Sequence, residues 1–311
     1  MLKAELPDLS IVSPVYLAES MVNELVARIK ESTSKLTDDF EIILVNDGSP
    51  DRSWEMIVAE CSSDKRVKGI NLSRNFGQHF AITAGLSQAK GVFVILMDCD
   101  LQDDPSYIPD LYRKAQEGFD IVYTKRSSRN YSFVKNAFSK LFYKTLSWIS
   151  DFDLDPNIGN YSILSRKAVD AFLKFNDYRR GYLFVLKWIG FKNTSIPIKH
   201  SVRAKGRSSY SPLKLISLAL NLAISYSDKP LRISIYAGII FSICSFFGAA
   251  LVIYKYFTEN VLAGWSSTLV ILSLIGGLLM IFLGIIGLYI SKVFEQTKQR
   301  PLFLIQDKEN T

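Results

Sequence analysis

The sequence predicts an α/β domain with a mainly parallel sheet, followed by an interfacial helix and two transmembrane helices. Three observations carry that expectation. Short apolar runs alternate with amphipathic stretches through the first half of the chain, the pattern of strands covered by helices on both faces. Two apolar runs, 233–254 and 265–290, each exceed the ~20 residues that cross a bilayer as a helix. Between Ile233 and Ser291 the only charged residues are Lys255 and Glu259. Finally, Val92-Phe-Val-Ile-Leu-Met-Asp98-Cys-Asp100 passes from a strand buried on both faces straight into carboxylates.

The elements follow in order. Residues 9–16 read as a strand and 19–31 as a helix; 41–45 is a second strand, with a helix from about 51 to 61. Strands at 67–73 and 91–97 enclose a helical segment at 78–89, and 106–117, 120–124 and 130–150 continue as helix, strand and long helix. A loop rich in Asp, Pro and Asn covers 151–160, and the pattern beyond it is irregular. At 211–227, Leu213, Ile216, Leu220 and Ile224 recur at helical spacing near Lys214, which suits a helix lying on a bilayer. The expected divisions are a first domain over 1–208, the interfacial helix over 209–230, a two-helix membrane hairpin over 231–292 and a tail over 293–311.

Glycines inside the two spans (Gly238, Gly248, Gly276, Gly277, Gly284, Gly287) suit close helix packing in lipid. Lys229 and Arg232 precede the first span, Lys292, Lys298 and Arg300 follow the second, and the loop 258–264 has no Lys or Arg. The positive-inside rule then places the first domain and both termini in the cytoplasm. Residues 1–8 are short, polar and interrupted by proline, so no signal peptide is expected.

The formal charge of +7 points to anionic lipid and phosphate-bearing substrates, since no zinc-finger or RNA-binding signature suggests nucleic acid. Cys61, Cys99 and Cys244 have neither disulfide nor zinc spacing. Ligands of an open parallel sheet bind beyond its carboxyl ends. Ser13-Pro14-Val15-Tyr16 ends the first strand, Asn46-Asp47-Gly48-Ser49 the second, residues 71–76 the third and Asp98–Asp100 the fourth. Three acids thus share one rim. If strand geometry persists, Asp98 and Asp100 point the same way and Cys99 points away. Two such oxygen donors suit Mg²⁺ or Mn²⁺ on a diphosphate; the competing reading is a solvated acidic loop that caps a helix starting at Asp104-Pro105. His79 and His200, the two histidines, read as packing or surface residues, with a phosphate contact open to His79.

Ile11-Val-Ser-Pro-Val-Tyr16, Val45-Asn-Asp-Gly-Ser49, Leu72-Ser-Arg-Asn-Phe-Gly-Gln78 and Met97-Asp-Cys-Asp-Leu-Gln102 resemble the ordered motifs of family 2 glycosyltransferases with a GT-A fold, a Rossmann-like, mainly parallel sheet. More narrowly, the chain resembles the polyprenyl-phosphate glycosyltransferases. These include the bactoprenol glucosyltransferases, dolichyl-phosphate mannose synthases and undecaprenyl-phosphate aminoarabinose transferases. Gly206-Arg-Ser-Ser-Tyr210 and Gln299-Arg-Pro-Leu-Phe303 match the bacterial members, and the resemblance spans roughly residues 9–305.

The resemblance implies that Pro14, Tyr16, Glu19 and Asp47 hold the nucleotide's base and ribose. Asp98 contacts ribose or metal, and Asp100 is the principal ligand of Mg²⁺ or Mn²⁺. Arg126, Arg129, Arg203, Lys205 and Arg207, with Lys125 nearby, grip the lipid phosphate and the donor diphosphate, and Arg126 joins Asp98 and Asp100 as catalytic. The implied reaction is inverting, metal-dependent transfer from a nucleotide sugar, UDP favoured, to undecaprenyl or another polyprenyl phosphate, for cell-surface glycan modification. It also implies the bacterial inner membrane and a homo-oligomer, a tetramer among the options, with no nucleic-acid partner. One departure stands out: Asn160 occupies the place where some relatives carry an acid proposed as general base. Asp153 and Asp155 lie close by in sequence, and a base is dispensable if the acceptor phosphate is already anionic. The alternatives are an accessory protein of a lipid-sugar flippase without transferase activity, and a processive polysaccharide synthase, whose Q-x-x-R-W pattern is missing.

Overall fold

β1 (Leu9–Val15) and β2 (Phe40–Asn46) are buried along their whole length, which is why neither alternates apolar with polar residues. They form the centre of an eight-stranded sheet of order β7-β5-β6-β4-β1-β2-β3-β8 in the computed structural model, which describes residues 7–126, 155, 157–175, 181–199, 229–258 and 264–311. β3 (Val67–Leu72), β2, β1 and β4 (Phe93–Leu96) run parallel. β6 (Ile158–Ser165) enters antiparallel between β4 and β5 (Ile121–Arg126), and β7 (Asn193–Ile198) pairs parallel with β5. β8 (Ile305–Glu309) closes the other edge, antiparallel to β3.

Two apolar layers cover the sheet. On one face lie α1 (Val22–Thr33), α2 (Ser53–Ser63) and α4 (Ile108–Gln116), contributing Val22, Leu25, Ile29, Ile57, Ile108 and Leu111. On the other lie α3 (Gln78–Gln88), α5 (Arg166–Leu173) and α6 (Tyr182–Ile189), contributing Ala81, Ile82, Leu86, Phe172, Val185 and Leu186. Fully burying each large side chain contributes about 1.5–3 kcal/mol, so the covered faces supply most of the stabilisation. The expected α/β class with a mainly parallel centre stands. β6, β7 and β8 are additions to it: residues 158–160 read as loop, β7 is half polar and contains Pro197, and β8 carries three charges and owes its strand form to β3.

One polar cluster interrupts the core. Glu41 is buried, accepts hydrogen bonds from Ser10 Oγ (2.6 Å) and the Lys90 N–H (2.6 Å), and pairs with Lys68 Nζ at 2.5 Å. Ser10 Oγ in turn accepts from the Gly91 N–H at 2.7 Å. Burial alone would raise the Glu41 carboxyl, but Lys68, Ser10 and the Lys90 amide outweigh it and hold the group below its ordinary value.

The described residues fall into two compact units, and 300–311 belong with the sheet. The other unit holds α7 (Lys229–Thr258) and α8 (Trp265–Thr297). At about 1.5 Å per residue both exceed the ~30 Å hydrocarbon core of a bilayer. Their apolar windows, Leu231–Gly248 and Leu274–Thr297, bury none of their residues, and Phe246 and Met280 are each 73% exposed. A soluble hairpin would hide such surface; these helices fit transmembrane spans. The expected long helix at 130–150 and interfacial helix at 211–227 lie outside the described residues.

Because Glu41 is depressed, its stabilising contribution is present above the unfolded value near 4.5 and is lost as pH falls through the lower folded value. Glu41→Ala is expected to cost about 3 kcal/mol by stranding Lys68 and two donors. It should also flatten the acid limb of stability, both read from thermal melts in detergent between pH 3 and 7.

Candidate active site

The parallel strands end on one edge, and a cleft of about 360 Å³ opens there. Pro14, Val15 and Tyr16 from the end of β1, Asp47 after β2, Asn75, Gly77 and Gln78 before and at the start of α3, and Asp98, Cys99 and Asp100 after β4 line it. Of the residues expected to hold a nucleotide or metal, Pro14, Tyr16, Asp47, Asp98 and Asp100 therefore come together. Tyr16 is 44% exposed, a ring left open to the cleft. Glu19 does not line the cleft: its carboxylate accepts the Arg52 N–H at 3.0 Å, beside α2.

Asp47 is buried and its two oxygens accept the backbone N–H groups of Phe76 (2.8 Å) and Gly77 (2.9 Å). Desolvation dominates and raises its carboxyl, opposed by those two amides and by Arg74. The adjacent turn requires Gly48: its φ is +59°, and an added Cβ would collide with the backbone of Arg74 and Asn75. Leu17 (φ 51°) and Leu101 (φ 55°) adopt the left-handed conformation without being glycine, and each directly follows a cleft residue, Tyr16 and Asp100. Such residues cost about 1–2 kcal/mol and gather at functional sites.

β4 ends at Leu96, so the two aspartates do not converge through strand alternation. A turn carries Cys99 and Asp100, and Cys99 lines the same cleft instead of turning away. Its thiol is pushed to about 11, chiefly by burial, so it stays neutral and is no nucleophile at neutral pH. Asp98 keeps partial access to solvent through the cleft, yet desolvation, then repulsion from Asp103 and Asp100, pushes its carboxyl to about 7. Arg126 and the Gln78 amide, whose Nε2 donates to Asp98 Oδ1 at 2.7 Å, oppose that rise. Asp100 Oδ1 accepts the Gln102 N–H at 3.1 Å.

Arg126 enters from the last residue of β5. Its guanidinium lies 3.6 Å from Asp103 Oδ1, and a Cβ added to Gly159 would come within 3.2 Å of it. Gly159 therefore leaves the space the guanidinium fills. Arg126 Nε has no acceptor among the described residues. Carboxylates thus outnumber cations at this edge, an imbalance that a bound cation would offset. Among the described residues no three His, Cys, Asp or Glu side chains form a complete metal cage. Two carboxylates open to a cleft fit Mg²⁺ or Mn²⁺, which take remaining ligands from water and substrate oxygens.

Comparison with known proteins places this edge in context. The profile of Glycosyl transferase family 2 matches residues 10–173, more than half of the chain. The chain belongs to glycosyl transferase family 2. An uncharacterized glycosyltransferase, YkcC, of Bacillus subtilis (strain 168) is 36% identical over 96% of this chain and 93% of its own. A prophage bactoprenol glucosyl transferase homolog of Escherichia coli (strain K12) is 32% identical over 96% and 98%. The bactoprenol glucosyl transferase of Shigella phage SfV is 32% identical over 97% and 99%. Among solved structures, glucosyl-3-phosphoglycerate synthase from Mycobacterium tuberculosis, in complex with Mn²⁺, UDP and phosphoglyceric acid, has a TM-score of 0.51 at 15% identity. It covers 70% of this chain and 77% of that one, a likeness of fold.

Within this family 2 domain, Asn75, Gln78, Cys99 and Asp103 join the site beyond the residues expected from sequence. Gln78 closes the motif that starts at Leu72, and Asp103 is one residue past the motif 97–102, so both lay within or beside quoted motifs. Asp155 is committed elsewhere: it pairs with Lys125 Nζ at 2.7 Å and accepts from the Asn157 backbone and side chain, which together outweigh burial and lower its carboxyl. Arg129, Asp153, Arg203, Lys205 and Arg207 lie outside the described residues, as do His200 and the 206–210 loop. His79 Nδ1 faces the Tyr182 N–H at 3.4 Å.

Asp47→Ala would strand two amides at once. We expect about 2 kcal/mol of lost stability and faster hydrogen exchange at Phe76 and Gly77, with exchange at the Glu41 cluster unchanged.

Proposed function

We propose that this family 2 glycosyltransferase moves one sugar from a nucleoside-diphosphate sugar, a UDP-sugar, to undecaprenyl or another polyprenyl phosphate at the cytoplasmic face of a bacterial membrane. The observation that carries the reading is an acid-floored cleft in a chain that matches bactoprenol glucosyl transferases over nearly its whole length. The two apolar helices and the Lys and Arg that flank them support the membrane location and a cytoplasmic site. Cell-surface glycan modification and a homo-oligomer, a tetramer among the options, complete the proposal.

Pro14, Tyr16 and Asp47 form the wall that takes the base and ribose, while Asp98 and Asp100 would hold Mg²⁺ or Mn²⁺. That cation, when bound, neutralises charge gathering on the departing diphosphate. Gln78 holds Asp98 in place, and Arg126 brings a guanidinium for a phosphate group. Arg129, Arg203, Lys205 and Arg207 are proposed to grip the acceptor and donor phosphates. An oxygen of the lipid phosphate forms the new bond to the anomeric carbon. The old carbon–oxygen bond breaks on the opposite side, its electron pair leaving with the diphosphate, and the configuration inverts. A phosphate monoester has its second pKa near ~6 and already presents an anionic oxygen. No protein base is required, which accords with Asn160 and with Asp155 being held by Lys125. The intact Asp47, Asp98 and Asp100 set argues against an inactive accessory role.

The test is sugar transfer by purified protein in detergent, with radiolabelled nucleotide sugars, undecaprenyl phosphate and Mn²⁺ or Mg²⁺. A lipid-extractable product is expected, lost with chelator and reduced at least about a hundredfold by Asp100→Ala. Undiminished transfer in a folded Asp100→Ala protein overturns the metal assignment, and no transfer from any donor overturns the reaction. Burial and the neighbouring Asp103 and Asp100 raise the Asp98 carboxyl to about 7 without a cation, so cation binding would displace the proton from the fraction that holds one. Apparent affinity for Mn²⁺ should fall as pH drops from 8 to 6, with proton release on binding measured by calorimetry in two buffers.

A further inference from the structure

Val15, Asn46, Asn71 and Asp307 stand directly opposite one another across β1, β2, β3 and β8, a single row along the carboxyl edge of the sheet. Three of them are joined by side chains. Asn71 Nδ2 donates to Asp307 Oδ2 at 3.0 Å, and Asn46 Nδ2 donates to Asn71 Oδ1 at 2.8 Å. The row continues into the cleft: Asn46 Oδ1 accepts the Ser49 N–H at 3.4 Å, and Ser49 Oγ accepts the Leu17 N–H at 3.1 Å. The turn so closed carries Asp47, and Leu17 follows Tyr16, so both cleft residues hang from this chain of bonds.

Direction in this chain is set at both ends, by the Ser49 N–H, which only donates, and by Asp307. A primary amide can present oxygen or nitrogen with almost equal ease, so two facing asparagines are satisfied in either of two polarities. A carboxylate has no such freedom, because it only accepts. Asp307 therefore turns the Asn71 amino group toward itself, leaving the Asn71 oxygen for Asn46. Asn46 must then spend its amino group there and its oxygen on Ser49. The opposite polarity would set the Asn46 amino group against the Ser49 N–H, donor against donor, and open the turn.

We propose that Asp307 is a positioning residue for the nucleotide side of the cleft, acting through Asn71 and Asn46 on the 46–49 turn. It does not itself line the cleft. The proposal rests on the nucleotide reading given above, and it assigns a role to a strand that the chain reaches only after both apolar helices.

The experiment is calorimetric titration of UDP with Mn²⁺ into the full-length protein in detergent, with thermal melts alongside. Asp307→Ala leaves the Ser49 N–H as the one fixed end and is expected to weaken UDP about fivefold. Asp307→Lys imposes the wrong polarity from an exposed edge and should weaken it tenfold or more. Asp307→Asn can still offer an oxygen and should bind like the parent. Lys308→Ala, which severs the tie to Gln88 at 2.8 Å, should do the same. Adding Asn71→Asp to Asp307→Lys supplies an acceptor to both neighbours and should recover most of the loss, a rescue that mere edge stability would not give. Parent-like binding by a folded Asp307→Lys protein, or no rescue by the second substitution, overturns the positioning role. No UDP binding by the parent protein overturns the nucleotide reading itself.

Discussion

Parallel running of β3, β2, β1 and β4 is the constraint on which the rest of this molecule depends. It sends four loops out of one edge and no loop from those strands back across it. A cleft there draws its wall from segments far apart in sequence, Tyr16, Asp47, Gln78 and Asp98, without any of them needing to be close in the chain. The loops are short because the helices that follow return at once to cover the sheet faces. Covering both faces also demands the continuous apolar strands seen in β1 and β2, so stability and site placement have a common cause.

The two ends of these strands are used differently. At the amino end, Glu41 is matched by Lys68, Ser10 and the Lys90 amide, and its carboxyl is depressed. At the carboxyl end, Asp98, Asp100 and Asp103 crowd together against Arg126, and Asp98 is raised. The first arrangement is satisfied by the protein alone. The second carries surplus negative charge, which the proposed divalent cation would offset. The same residue chemistry thus gives a fixed structural tie at one end and a receptive site at the other, the difference being whether the partners are built in.

What the sequence disclosed follows the same division. Apolar periodicity exposed β1 to β4 and their helices because burial on both faces leaves a run that no solvated segment shows. The rim acids were legible because strand ends could be located, and motif resemblance then gave them roles. Convergence of Asp98 and Asp100 was expected from alternation, but the turn after Leu96 produces it and brings Cys99 in as well. β6 was partly obscured by Gly159-Asn160, turn-favouring residues near its start, within a strand flanked by β4 and β5. β8 was illegible for a deeper reason. Ile305-Gln-Asp-Lys-Glu309 has no apolar face, and only a long-range partner, β3, gives it strand form.

A charged edge strand has a second consequence. Lys308 and Asp307 on β8 discourage further pairing at an edge that would otherwise present unpaired backbone groups, as charged residues do on sheet edges generally. Yet the same strand places one acceptor-only group beside Asn71, at the point where the row of opposed residues reaches the edge. Protecting the edge called for charge of either sign; a lysine opposite Asn71 would have served as well. Only an acceptor there is compatible with the polarity that Asn46 and Ser49 require. The sign of that one side chain is therefore fixed by the turn that carries Asp47, and not by the sheet edge it protects.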